Sequence, residues 1–235
     1  MTAVRLHDTS RECRSLYSTM LTRAVRSEFD IRDLPGPGTS HFELLTALAA
    51  ESAVRTHLPG PLRWRPRWAT RELCARLRAD CATSAERSGV VRKDKRNAPV
   101  GQDCLAELFD TLGLLAGVQA LVGEASLIPV AASYIVYDGP GSLLQLHLDR
   151  PTFGDITLLL RLDDTDAAGP AGQRSSTLFV TPEGYRREPL GTGESLVFDG
   201  TSTLHGRTAL TAGEEVTLLS IGFQVPEGQD PPCAY

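Results

Sequence analysis

The sequence has no apolar run long enough to cross a membrane: stretches such as 156–160 fall far short of the roughly twenty residues a spanning helix needs. No membrane partner is expected. The first eight residues carry Arg5, His7 and Asp8 and no apolar centre, so no secretory signal is expected and the chain reads as cytoplasmic. Cysteine is sparse and unpaired in pattern. Cys13, Cys74, Cys81, Cys104 and Cys233 are odd in number and include no C-x-x-C pair, which argues against a disulfide framework or a zinc knuckle and suits reduced thiols. A positive balance is also missing, since the net charge is −5, and a nucleic-acid substrate is disfavoured. The glycine turn at 139–142 has no lysine of a phosphate loop, and Gly193-Glu194-Ser195 lacks the closing glycine of a nucleophile elbow.

No repeat or low-complexity stretch divides the chain, and its 235 residues suffice for a single domain with a sizeable core. The texture changes near residue 126. Before it, helices are predicted over 11–29, 40–57, 69–87 and 102–122, the second opened by a capping box at Ser40-His41-Phe42-Glu43. The segments 59–68 and 89–101 read as a non-helical connection and a polar loop. From 127 to 226, short runs rich in β-formers alternate with Gly/Pro/Asp/Thr turns: 129–137, 142–149, 155–162, 176–181, 194–199 and 215–225. Many short strands at regular spacing mean a sandwich or barrel, so an α+β unit is expected, a jelly roll buttressed by the N-terminal helices, with a tail at 227–235.

Histidine is scarce as well, which sharpens the reading of those present. There are five, and two stand in the strand region at His147 and His205. Alternate side chains on a strand share a face, so His147 and Asp149 converge on one small volume. His205, 58 residues on, lies where a returning strand supplies a third ligand. Two imidazoles and a carboxylate on one face of an octahedron suit ferrous iron and leave positions open for other ligands. A cupin-like site for another metal fits the same residues. His41 lies inside the expected cap and is not placed among the ligands.

These motifs resemble the iron(II)/2-oxoglutarate-dependent dioxygenases, nearest in pattern to prolyl-hydroxylase-like members. The resemblance spans 133–223 and rests on four stretches: Tyr137-Asp138-Gly139-Pro140-Gly141, His147-Leu148-Asp149, the strand from Thr157 to Asp163, and Gly193-Glu194-Ser195-Leu196-Val197-Phe198 before Leu204-His205. It implies a double-stranded β-helix holding Fe(II) on His147, Asp149 and His205, with 2-oxoglutarate as cosubstrate and O2 as oxidant. Decarboxylation to succinate would then accompany oxidation of the substrate. Related halogenases carry a small residue in place of Asp149, so a carboxylate there favours hydroxylation, or a desaturation, epoxidation or cyclisation using the same oxidant.

Where the family places a cation for the far carboxylate of 2-oxoglutarate, this chain has Glu215. A second carboxylate in that pocket would be repulsive by several kcal/mol. The expectation is that Arg161, on the face of Thr157 and assisted by Tyr137, clamps the cosubstrate instead, with Arg207 meeting either cosubstrate or substrate. An ion pair of Arg161 with Glu215 is the plainer alternative.

The substrate is expected to be a small molecule, amino-acid-like or a natural-product intermediate, carrying an anionic group and either free or bound to a carrier protein. That follows from the basic segment 61–96, with eleven Arg/Lys against four Asp/Glu, and from the candidate contacts Arg92, Arg96, Arg150 and Phe153. Arg186 and Arg187 are weaker candidates. A different class of reading stays open: a non-oxidative or non-catalytic cupin-like protein in which Glu215 marks the loss of 2-oxoglutarate binding.

Overall fold

Strands buried on both faces should be apolar throughout, and strands with one polar face should alternate. The computed structural model, which describes residues 11–54, 56–88, 90–92, 95–163 and 174–226, shows both kinds. Eight strands build the barrel: β4 (Ile128–Tyr137), β5 (Leu144–His147), β6 (Ile156–Arg161), β7 (Thr177–Thr181), β8 (Gly184–Glu188), β9 (Ser195–Asp199), β10 (His205–Arg207) and β11 (Val216–Gln224). The chain passes back and forth between two antiparallel sheets. The larger runs β1-β9-β6-β11-β4-β3-β2 and the smaller β5-β10-β7-β8, which is the expected double-stranded β-helix.

Period-two alternation sorts the side chains. On β6, Ile156, Leu158 and Leu160 face outward into one core, and Leu159 faces inward into another. On β11, Leu219, Ile221 and Phe223 face out while Val216 and Leu218 face in. The outer core is covered by α3 (Arg71–Ser88), α4 (Gln102–Ala106) and α5 (Leu114–Val122). The inner core, between the sheets, holds Tyr137, Phe179 and Phe198. A third core lies on the far side of the small sheet, where Leu21 and Val25 of α1 (Arg11–Glu28) and Leu45 and Ala49 of α2 (Ser40–Ala53) meet Leu146, Leu148 and Leu178. Each such buried aliphatic side chain contributes on the order of 1.5–3 kcal/mol.

Several expectations about the first half are corrected. The connection 59–68 contains β1 (Leu62–Trp64), paired with β9. The polar loop 89–101 is a hairpin of β2 (Val90–Arg92) and β3 (Lys95–Pro99), and β3 extends the large sheet beside β4. The N-terminal half is therefore not a separate helical layer; it supplies three strands. The cap of α2 is Thr39, whose hydroxyl accepts from Phe42 N at 3.1 Å, not Ser40. The expected single helix 102–122 is broken: Leu112 N donates to Glu107 O at 2.9 Å across a wide π turn, and Gly113 then takes a left-handed φ of 67°. The tail 227–235, the first ten residues and Cys233 lie outside the described residues. Cys13, Cys74, Cys81 and Cys104 are thiols not joined in disulfides. Among the described residues no single helix is long and apolar enough to cross a membrane.

Candidate metal centre

Antiparallel pairing of β10 with β5 sets His205 directly opposite His147. The two imidazole rings lie 4.3 Å apart between centroids. Asp149 follows two residues beyond His147, its backbone N–H held by Gly200 O at 2.7 Å. Asp149 Oδ1 is 3.5 Å from His147 Nε2 and 3.8 Å from His205 Nε2. One donor atom from each of the three residues lies within 4.8 Å of the other two. Metal bonds of about 2.0–2.2 Å would place adjacent donors about 3 Å apart, so a slight contraction lets them share one ion.

Each ligand is oriented by a partner outside the triad. His147 Nδ1 lies 3.0 Å from Gln145 O, and His205 Nδ1 2.8 Å from Thr203 O. A carbonyl can only accept, so each Nδ1 carries the proton and each Nε2 keeps its lone pair for a metal. Thr157 Oγ1 donates to Asp149 Oδ2 at 2.7 Å. The turn that delivers His205 is tied by Asp199, whose Oδ1 accepts from Ser202 N at 2.9 Å and whose Oδ2 accepts from His57 N at 2.8 Å. Gly200 sits against the carboxylate so closely that a Cβ there would fall 2.2 Å from Asp149 Oδ2 and 2.6 Å from Thr157 Oγ1.

The electrostatics agree with a cation site. Burial, then the charge of His147, pushes His205 down to about 4, so its imidazole is neutral. Burial alone would raise Asp149, but His205, His147 and the Thr157 hydroxyl outweigh it and hold the carboxyl below its ordinary range. One carboxylate and two imidazole nitrogens converge, a set that fits ferrous iron.

No family model and no curated protein matches the sequence. Solved structures do. A Pseudomonas putida prolyl-4-hydroxylase superposes with a TM-score of 0.54 at 16% identity, over 77% of this chain and 99% of that one. The α-ketoglutarate-dependent epimerase SnoN from nogalamycin biosynthesis gives 0.58 at 16%, over 75% and 82%. HygX from Streptomyces hygroscopicus, with nickel, 2-oxoglutarate and hygromycin B bound, gives 0.53 at 15%, over 70% and 82%.

The fold is that of the 2OG-Fe(II) oxygenases.

Within the frame of these oxygenases, the residues expected at the cosubstrate take distinct places. Arg161 is enclosed: Nε and Nη2 donate to Asp163 Oδ2 at 3.2 and 2.8 Å, and Nη1 donates to Leu190 O at 2.8 Å. Asp163 in turn accepts from Thr217 N at 2.8 Å, so the pair is built into the barrel wall. Glu215 is exposed, and the inward position at the start of β11 is the buried Val216. The buried acid of this stretch is the preceding residue, Glu214, and not Glu215.

Arg207 presents a different picture. It lies two residues past His205 on the same strand and is buried, its guanidinium 5.4 Å from the Tyr137 ring centroid. Its Nη2 donates to Ser175 Oγ at 2.7 Å, and Ser175 Oγ donates to Glu214 Oε1 at 2.7 Å. Its Nε is buried with no partner among the described residues. Burial lowers its pKa, opposed by Tyr137 and Glu214, and a guanidinium so placed stays charged. Tyr137 is pushed up to about 12 by burial, with Arg207 lowering and Asp149 raising it. Thr157, also expected at the cosubstrate, hydrogen-bonds the carboxylate of Asp149.

The expected substrate contacts are mostly not brought together. Arg96 pairs with Asp138 and shares a strand face with Ala98, which packs in the outer core. Arg150 is exposed, and Phe153 is half-buried in a turn closed by its N–H on Arg150 O at 2.8 Å. The backbone of Arg92 pairs with Lys95, and its side chain lies outside what is described. Arg186 pairs with Glu188 on β8, and Arg187 is exposed. The inward face of the hairpin belongs to neighbours that sequence reasoning passed over. Asn97 stands opposite Ile135 of the inner core, and its Oδ1 is buried with no partner among the described residues. Lys95, two residues away on the same face, contributes to lowering His205. Gly200, Ser175 and Glu214 were also missed; only the Gly200-Thr201 turn before His205 offered a signal.

Proposed function

We propose that this chain is a non-haem iron(II)/2-oxoglutarate-dependent oxygenase that hydroxylates, or otherwise oxidises, a small biosynthetic intermediate. The observation that carries the reading is the convergence of His147 Nε2, Asp149 Oδ1 and His205 Nε2 beside a buried arginine with an unsatisfied donor. With O2, bound iron and 2-oxoglutarate supply a two-electron oxidation of the substrate together with succinate and carbon dioxide. The protein's residues hold and orient. His147, Asp149 and His205 would hold the ion, and Thr157 and the two backbone carbonyls aim the ligands. Arg207 with Tyr137 takes the far carboxylate of 2-oxoglutarate, the role first expected of Arg161. A charge-assisted bond from a buried guanidinium is strong and directional. Arg161 and Asp163 stiffen the wall behind it.

Substrate recognition is assigned to Lys95 and Asn97, whose ammonium and amide suit a substrate with an anionic or hydroxyl-bearing group. HygX with hygromycin B bound, and SnoN with nogalamycin RO, support a small natural product as substrate. An epimerase and a carbocyclase among the similar folds show that hydroxylation is not the one outcome this architecture serves. The non-oxidative reading took Glu215 into the pocket; Glu215 is exposed, and the buried carboxylate there is that of Glu214, which Ser175 links to Arg207.

The test is turnover. Wild-type chain with Fe(II) and O2 should convert 2-oxoglutarate to succinate, faster with an acceptable substrate, and His147→Ala should not. Absence of succinate from the wild type across a panel of anionic and glycosylated small molecules would count against the proposal.

A further inference from the structure

The strand that carries His147 and leads into Asp149 is an edge strand. β5 ends the small sheet, so among the described residues one side of its backbone meets no neighbouring strand. An exposed edge of this kind is normally covered or paired. Here it is covered by a helix that imitates a strand. Four side chains of α1, each four residues from the last, form a polar stripe along this edge and the start of β6. Arg14 Nη1 reaches Asp155 Oδ1 at 3.5 Å. Ser18 Oγ donates to Asp149 O at 3.0 Å, Thr22 Oγ1 accepts from Leu148 N at 3.0 Å, and Arg26 Nε donates to Leu146 O at 3.1 Å.

Spacing of four puts side chains one above another on a helix, and alternate residues of a strand direct their backbone groups to the same side. The two periodicities match at Leu146 and Leu148, and the next rung, Ser18, meets the adjacent Asp149 beyond the end of β5. The neighbouring face of α1, through Leu21 and Val25, packs on Leu146 and Leu148 and fixes the helix against the sheet. The following loop adds a further tie, with Ile31 N donating to Gln145 Oε1 at 2.9 Å. Leu146, Leu148 and Asp149 flank His147 on both sides, so the ladder grips the backbone between and beyond the two ligands.

We infer that α1 acts as a surrogate edge strand and that Ser18, Thr22 and Arg26 are positioning residues for the metal centre. They touch neither metal nor cosubstrate; they hold the segment 146–149 in the register that brings His147 opposite His205. The inference rests on the proposed metal site and adds to it a source of precision lying outside the barrel.

The experiment uses the full chain, with Co(II) as probe and hydrogen exchange on the metal-free protein as a second reading. Thr22→Val removes the acceptor of the Leu148 N–H at nearly constant shape. It should weaken Co(II) binding about tenfold, as loss of an outer ligand support does, and speed exchange of the Leu148 amide, while the melting temperature of the metal-free chain moves little. Thr22→Ser, which keeps the hydroxyl, should restore both. If Thr22→Val fails to fold, Ser18→Ala, which removes the donor to Asp149 O, carries the same expectation for Co(II) affinity. Equal Co(II) affinity in Thr22→Val and wild type, or a loss that Thr22→Ser does not rescue, would overturn the inference. A wild-type chain that takes up no Co(II) would remove the metal reading itself, and the inference with it. Faster Leu148 exchange with unchanged Co(II) affinity would leave α1 a structural cover only.

Discussion

Thr157 Oγ1 donates to Asp149 Oδ2 at 2.7 Å, which turns the other carboxylate oxygen, Oδ1, toward both imidazole Nε2 atoms. One hydroxyl on β6 thus decides which oxygen of a ligand on the opposite sheet is presented.

Replacing Thr157 with Val keeps the shape and removes the donor. Metal affinity should fall between about 10-fold and 100-fold, the usual range for an outer-shell partner. Titration of the metal-free chain with Mn(II) or Co(II) reads this directly. Thr157→Ser should stay near wild type, and a Val variant of undiminished affinity would show that Asp149 is held by Gly200 O and the sheet alone.

Arg207 and Arg161 should separate cleanly. Arg207→Ala removes the buried donor proposed for 2-oxoglutarate, so its apparent dissociation constant should rise by at least about 30-fold, corresponding to about 2 kcal/mol for a charge-assisted contact. Arg161→Ala strips a buried partner from Asp163 and should show as lost stability of about 3–5 kcal/mol. Urea unfolding and 2-oxoglutarate titration of both variants decide it. A reversed pattern, with Arg161→Ala stable and weak in 2-oxoglutarate, would return the clamp to Arg161.

The choice between these arginines was not legible in the sequence, and the reason is local. Arg161 shares a face with Thr157 and sits where the resembled family has a cosubstrate contact, but nothing in the string says that Asp163 will fold back on it. Glu215 misled for the same reason: a one-residue shift decides whether a strand residue faces in or out, and here Val216 takes the inward place. The hairpin 90–99 was hidden because its charged run Arg92-Lys93-Asp94-Lys95-Arg96 reads as a loop, while its pairing energy comes from β4, distant in sequence. By contrast, the His147-x-Asp149 pair, His205 and the strands from 128 onward were readable, since period-two alternation and turn residues are local signals. β8 escaped because Tyr185-Arg186-Arg187 offers no apolar alternation.

Gly200→Ala tests the close approach behind the metal ligands. A methyl there would lie 2.2 Å from Asp149 Oδ2, so either the carboxylate or the 199–203 turn must move. The variant should fold but bind metal at least about tenfold more weakly. Unchanged affinity would mean that the turn relaxes without disturbing Asp149.

Glu214 gives a dependence on acid. Burial would raise its carboxyl, but the hydroxyl and N–H of Ser175, the Thr211 N–H and Arg207 outweigh this and lower it below its ordinary value. A lowered folded-state pKa means stability that is present above about pH 4.5 and lost as the pH falls through the folded value. The metal-free wild type should therefore lose more stability than Glu214→Gln between about pH 6 and pH 3, and urea midpoints across that range check it. Parallel curves for the two proteins would show that the Ser175–Glu214 contact carries no such linkage.

The central claim is that His147, Asp149 and His205 hold an iron ion to which 2-oxoglutarate chelates, anchored by Arg207. Anaerobic addition of Fe(II) and 2-oxoglutarate to the wild-type chain tests it most directly, through the weak visible charge-transfer absorption that appears when a 2-oxo acid chelates ferrous iron. The account predicts a saturable band that needs both components, is absent from His205→Ala, and requires much more 2-oxoglutarate in Arg207→Ala. No band from the wild type with both components at saturation would contradict it.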